Sequence, residues 1–299
     1  MDKVVVFGGS GFLGSYVADE LSQRGYSVII ADINESDYLT DNQTYICCNV
    51  LNPSDVESAL GNCDFVYNLA GMSDIDQSIN LPLKTFEKNV IGNINILEAC
   101  SRAKLKRFVY ASSAYANSDK GSFYGISKFT SEKVIEEYSR RSGLPFTVMR
   151  YGSVYGERAD NRNGMYRLLR SAIGQGKIDH PGNGEEVREY IHAMDAARMS
   201  VDVIESEDYL NQHLILTGVE RLRQRDLLQM IQEILNDQVE VTYNNTPWEG
   251  HYQVTPYSYH PSLAKKMIIN PFIELGQGLV SCIRQIDESL SAEEPSSNP

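Results

Sequence analysis

Cations are in short supply in this chain of 299 residues: 27 Lys and Arg face 40 Asp and Glu, a formal net charge of −13. Such a chain repels a phosphate backbone at long range, which argues against nucleic acid as a partner. Its one basic run, Arg102-Ala103-Lys104-Leu105-Lys106-Arg107, closes a predicted helix, where cations complement the dipole. Long apolar runs are missing too. None approaches the roughly 18 residues that a spanning helix needs, so no membrane segment is expected. Met1-Asp2-Lys3 leads straight into Val4-Val5-Val6 and a glycine pair, which is no signal-peptide pattern. The five cysteines (Cys47, Cys48, Cys63, Cys100, Cys282) are odd in number and show no C-x-x-C spacing. That argues against a disulfide framework or a zinc site and fits reduced thiols in a cytoplasmic protein. Five scattered histidines (His180, His192, His213, His251, His260) lack ligand spacing, so no metal is expected.

What remains is ordinary globular composition, 42% hydrophobic and 22% charged. At this length a single core gives way to two, one larger and one smaller. Nearly all-apolar runs at 3–7, 27–32, 45–50, 65–69, 107–112 and 146–151, with another at 213–216, read as strands covered on both faces. Helical patterns at 12–24, 53–60, 83–103 and 123–142 lie between them; Asn52 and Pro53 mark one start. This alternation predicts an α/β fold, a doubly wound parallel sheet with right-handed crossovers. After residue 152 the pattern loosens into Gly174-Gln175-Gly176 and Pro181-Gly182-Asn183-Gly184, then an amphipathic stretch at 222–235. We expect a dinucleotide-binding domain over 1–152 that also receives segments near 187–217. A smaller α/β substrate domain is expected over 153–290. The last nine residues, 291–299, are Ser, Pro, Glu and Asn with almost nothing apolar, the composition of a disordered tail.

Gly8-Gly9-Ser10-Gly11-Phe12-Leu13-Gly14 follows a strand and opens a helix. Such glycines permit a tight turn and let a pyrophosphate approach the backbone, with helix N–H groups aimed at the anion. Asp32 ends the second strand, 18 residues after Gly14, where a carboxylate accepts the ribose hydroxyls. It would repel a 2′-phosphate, and its neighbours Ile33, Asn34 and Glu35 include no arginine. NAD is therefore the expected cofactor.

Ser113 ends another strand, and Lys128 follows Tyr124 by one helical turn. A cation beside a phenol favours the phenolate, which makes Tyr124 a candidate acid and base. Ser113 would bond the same substrate oxygen.

These pieces, with Asn68-Leu69-Ala70-Gly71, Asn89-Val90-Ile91-Gly92 and Arg188-Glu189-Tyr190-Ile191-His192-Ala193-Met194-Asp195, resemble the extended short-chain dehydrogenase/reductase family over nearly the whole chain. Its members include the nucleotide-sugar epimerases and dehydratases. The resemblance implies a Rossmann-type fold with catalytic Ser113, Tyr124 and Lys128. It places Gly8, Gly11, Phe12, Leu13 and Gly14 at the pyrophosphate, and Asp32, Ile33 and Asn34 at the adenosine ribose. Asn49 and Val50 would meet the adenine; relatives usually have Asp where Asn49 stands. Leu69, Ala70, Gly71 and Tyr151 would run along the cofactor, with Asn89 bracing the strand ends. Ser153, Arg158 and Arg188 would contact a nucleotide-sugar substrate, Arg188 pairing with its diphosphate, and Arg162 and Arg167 share Arg158's loop. Tyr252 and Tyr257, near Trp248, would stack on a base or sugar. Helices over 83–103 and 123–142 imply a homodimer.

Dehydratases of this family follow the strand-end hydroxyl with Asp-Glu, and decarboxylases carry a Glu in that loop. Here Ala114-Tyr115 follow Ser113. The pattern looks most like the 4-epimerases of UDP-sugars such as UDP-glucose, which oxidise C4 transiently with tightly held NAD and pass through a 4-keto sugar. A 4-ketoreductase using NAD(P)H and a non-catalytic NAD(H)-sensing module are the alternatives. The retained phenol, lysine and serine speak against the sensor.

Overall fold

Alternate residues of the first strand, Lys3–Phe7 (β1), enter different cores, because successive side chains of a strand point to opposite faces. Val4 and Val6 join Tyr67, Val109 and Met149 on one face, while Val5 and Phe7 join Val66, Phe108 and Val148 on the other. Every one of these residues is buried. The sheet is therefore the middle of three layers. The computed structural model describes residues 1–219, 221–244, 246, 250, 251, 253 and 254.

The remaining strands are Ser27–Asp32 (β2), Gln43–Cys47 (β3), Phe65–Asn68 (β4), Arg107–Ser113 (β5), Phe146–Tyr151 (β6), Ser153–Tyr155 (β7), Lys177–His180 (β8), Val187–Arg188 (β9), Tyr190–His192 (β10), Gln212–Leu216 (β11), Leu222–Arg223 (β12) and Glu240–Tyr243 (β13). Seven make one sheet in the order β11-β6-β5-β4-β1-β2-β3, and every pairing in it is parallel. The order reverses beside β1, and in open α/β sheets that crevice is where ligands bind. The predicted doubly wound sheet is the observed one, and the strand expected at 213–216 extends it at the β6 edge.

The helices are Phe12–Gln23 (α1), Pro53–Leu60 (α2), Ile75–Asn80 (α3), Pro82–Phe86 (α4), Gly92–Arg102 (α5), Ser122–Ser142 (α6), Gly164–Gln175 (α7), Ala193–Glu205 (α8) and Gln224–Ile234 (α9). Asn52 caps α2 through its side chain, with Pro53 at the first position, as its sequence signals. The stretch expected as one helix over 83–103 divides into α4, a π-turn at Glu87–Ile91 and α5. The strand expected at 45–50 ends at Cys47, because Asn49 turns the chain: its Oδ1 accepts from Leu51 N at 3.0 Å and its N–H donates to Asp55 at 3.0 Å.

A smaller core gathers Ala172, Ile178, Leu227, Leu228, Ile231 and Val239 from α7, β8, α9 and the chain entering β13. The tail over 291–299, Cys282, His260, Trp248, Tyr252 and Tyr257 lie outside the described residues. No described helix is long and apolar enough to cross a membrane.

Candidate active site

The turn from β1 to α1 needs its glycines. Gly8 has φ +78, and a Cβ there would lie 2.5 Å from Ala70 N. A Cβ on Gly14 would lie 2.1 Å from the Gly8 carbonyl oxygen. Helix and strand can touch only because neither residue carries a side chain. Gly11 is the N-cap of α1 and supplies no side-chain acceptor, which leaves first-turn N–H groups for an anion. Asp32 stands at the end of β2, its carboxylate oriented by Ser10 N at 3.2 Å and Asn34 N at 3.4 Å. A glycine cradle, an open helix N-terminus and a fixed carboxylate are the donors and acceptors that the pyrophosphate and ribose of NAD require.

From this cradle a cavity of about 690 Å³ runs across the strand ends. Gly8, Gly11, Phe12, Leu13 and Asp32 line one end; Leu69, Ala70 and Gly71 continue its wall. Ser113, Tyr124, Lys128 and Tyr151 lie along it, and Ser153 and Arg188 reach the far side.

The centre is held from several directions. Ser113 ends β5 opposite Tyr151 of β6, and its Oγ accepts from Tyr115 N at 3.3 Å. Tyr151 donates or accepts at Ser200 Oγ, 2.6 Å away, and burial pushes its phenol pKa up. Tyr124 and Lys128 share one face of α6. Lys128 is only 6% exposed; its Nζ donates to the Ala111 carbonyl at 2.7 Å and lies 5.8 Å from the Tyr124 ring centroid. Burial lowers the Lys128 pKa to about 8, while the Glu132 carboxylate acts in the opposite direction.

Asn89 stands behind the wall. Its Oδ1 accepts from Met72 N at 2.7 Å, and its Nδ2 donates to Met72 O at 3.0 Å and Ser127 Oγ at 2.9 Å. It thereby ties the chain after Gly71 to α6.

Several residues expected at the site do not line this cavity. Gly14 is a packing contact within the turn, and Ile33 is exposed beside Asp32. Asn34 contributes its carbonyl to Ser10 Oγ at 2.7 Å. Asn49 serves the turn before α2, and Val50 accepts from Asn95 Nδ2 at 2.9 Å; neither lines the cavity. Arg158 does not line the cavity either: it is bonded to Asp19 at 2.7 Å, because its loop folds back onto α1.

Other residues escaped the sequence reading. Glu132 is fully buried, accepts from Ser112 Oγ, and takes Arg150 Nε at 3.0 Å and Nη2 at 2.6 Å. It lies one turn beyond Lys128, the one signal that could have found it. Arg167, expected in the loop of Arg158, instead lies on α7 and reaches Asp74 at 3.4 Å and Asp76 at 3.3 Å. His251 meets Tyr115 Oη at 3.0 Å and Asp76 at 3.4 Å, and burial lowers its pKa. No group of three or more metal-binding side chains occurs among the described residues.

Comparison with known proteins places these features in a wider set. The model of the NAD dependent epimerase/dehydratase family matches residues 4–215. The putative UDP-glucose 4-epimerase of Methanocaldococcus jannaschii is 26% identical over 220 residues, covering 66% of this chain and 72% of that protein. The UDP-N-acetyl-alpha-D-glucosaminuronate decarboxylase of Bacillus cytotoxicus is also 26% identical, covering 82% and 81%. Among solved structures, UDP-glucose 4-epimerase of Thermotoga maritima with UDP-glucose superposes with a TM-score of 0.78 at 24% identity, covering 96% of this chain and 99% of that one. UDP-glucuronic acid 4-epimerase of Bacillus cereus, in complex with UDP-glucuronic acid and NAD, gives 0.78 at 21%, covering 88% and 95%. The two structural likenesses establish the fold.

Proposed function

Because this chain belongs to the NAD dependent epimerase/dehydratase family, we propose that it is an NAD-dependent 4-epimerase of nucleotide sugars acting on a UDP-hexose. One observation carries the reading: a single cavity joins the glycine cradle and Asp32 to Arg188, with Tyr124 and Ser113 between them. That is room for a dinucleotide and an activated sugar meeting at a phenol. The related UDP-glucose 4-epimerases favour UDP and C4. The decarboxylase and dehydratase relatives are the competing chemistries. Against them, the short helical turn after Ser113 is Ala114–Asn117, with no carboxyl group to eliminate water or assist loss of CO₂.

Gly8, Gly11 and Asp32 would hold NAD, which would supply reversible hydride chemistry at the sugar C4. Tyr124 removes the 4-hydroxyl proton in the first half and returns a proton to the same oxygen in the second. Lys128, positively charged at neutral pH, favours the phenolate that does so. Ser113 bonds that oxygen and keeps it beside Tyr124. Arg188 pairs with the diphosphate, so the hexose can turn over while the nucleotide stays anchored. Asp32 holds the adenosine ribose at the other end.

The reading extends to a cytoplasmic homodimer. Free Cys47, Cys48, Cys63 and Cys100 suit a reducing compartment, and Phe123, Ile126 and Phe129 expose an apolar face on α6.

Tyr124→Phe removes only the reacting oxygen. Conversion should fall about 10²- to 10⁴-fold, with NAD retained as in the wild type. Full activity in that variant would remove Tyr124 from the chemistry.

A further inference from the structure

Arg158 leaves the substrate side of the cleft for a more constrained position. Its guanidinium carbon lies 4.3 Å from the Tyr16 ring centroid and 4.3 Å from the Tyr38 ring centroid. Its Nη2 meets Asp19 at 2.7 Å, with both side chains largely buried. Tyr16 and Asp19 belong to α1, the helix that the glycine turn opens, and Tyr38 lies in the chain that follows Asp32. A planar cation between two aromatic faces is a directional contact that an exposed lysine would not reproduce. Beside it, Glu157 accepts from Tyr16 Oη at 2.8 Å and meets His192 Nε2 at 3.3 Å. One loop, residues 156–163, is thus tied to both segments that form the dinucleotide cradle.

The same loop forms part of the cavity. Asp160, Arg162 and Asn163 line it together with Gly11, Phe12 and Asp32. Arg162 is held by both carboxylate oxygens of Asp160, its Nε donating to Oδ1 at 3.0 Å and its Nη2 to Oδ2 at 2.6 Å. Asp160 first, then Asp32 and Asp74, which also line the cavity, favour its charged form. We infer that residues 156–163 are a strap that retains bound NAD, and that Arg158 is the fastening of that strap. The inference rests on the NAD reading above. An epimerase regenerates its cofactor in every cycle and gains nothing from exchanging it, so a fastening that slows release suits the chemistry.

The test is the release of NAD, which needs no sugar. Protein loaded with labelled NAD is chased with unlabelled NAD, and the dissociation rate is compared for the wild type, Arg158→Ala and Tyr38→Ala. Tyr38 is 42% exposed, so its replacement leaves the core untouched. Expected is a rise in dissociation rate of roughly tenfold or more in both variants, with the association rate unchanged. Wild-type release from both variants would overturn the strap. A wild type that takes up no NAD would overturn the cofactor reading itself, and the strap with it.

Discussion

Lys128 illustrates how a single residue carries both function and cost. An ammonium group buried to 6% exposure gives up hydration, and its pKa falls from 10.5 to about 8. Between those values the folded chain holds fewer protons at this site than the unfolded chain does. This group therefore adds stability as pH rises through that window. Catalysis should move the other way, because the phenolate of Tyr124 loses its neighbouring cation above about pH 8. The expected pH–rate profile falls on the alkaline side near pH 8 while circular dichroism shows an intact fold, and Glu132→Gln shifts that limb to lower pH. A limb that stays above pH 10 would contradict this role for Lys128.

Tyr124 and Lys128 were legible in the sequence because a helix converts a spacing of four into a shared face. Glu132 was not, since its partner Arg150 comes from β6 and no helical period connects them. Arg158 shows the same limit in a loop. Loops lack a period that would tell which of Arg158 and Arg162 turns toward the cleft and which toward α1.

At the scale of elements, the apolar strands announced themselves and three helices, α3, α7 and α8, did not. The buried face of α8 begins with the small side chains Ala193, Ala196, Ala197 and Ser200, which let it pack closely on α1 but give little hydrophobic rhythm, and only its last turn adds Val201, Val203 and Ile204. α7 buries little beyond Ala172, so its clearest signals are its ends: Asn163 caps it and Gly176 closes it with φ +62. In contrast, α6 exposes Phe123 at 37%, Ile126 at 54% and Phe129 at 39%, near Leu83 at 73% and Ile91 at 49%. Exposed apolar side chains gathered in this way suit an isologous interface between two copies. Sedimentation should give twice the 33.6 kDa chain mass, and Ile126→Asp should halve it without unfolding the protein. A monomeric wild type at micromolar concentration would remove the homodimer.

For the whole molecule, the strand order was legible because a nearly all-apolar strand must be covered on both faces, and parallel crossovers then leave one crevice at the strand ends. The path of the cavity beyond that crevice was less legible. It depends on the loop over 156–163 and on Arg188, Gln224 and His251, brought together from distant stretches. The net charge of −13 conflicts with two anionic ligands only if it acts as a sum. Beyond about 8 Å, salt screens most of that field, and contact is decided by the N–H groups after Gly11 and by Arg188.

The most direct measurement is the C4 configuration of the sugar, followed by proton NMR on purified protein without added cofactor. With UDP-glucose, the C4 epimer should appear and approach one equilibrium ratio from either starting sugar. Protein that holds NAD but inverts C4 in none of a panel of UDP-, GDP- and dTDP-hexoses would contradict the epimerase.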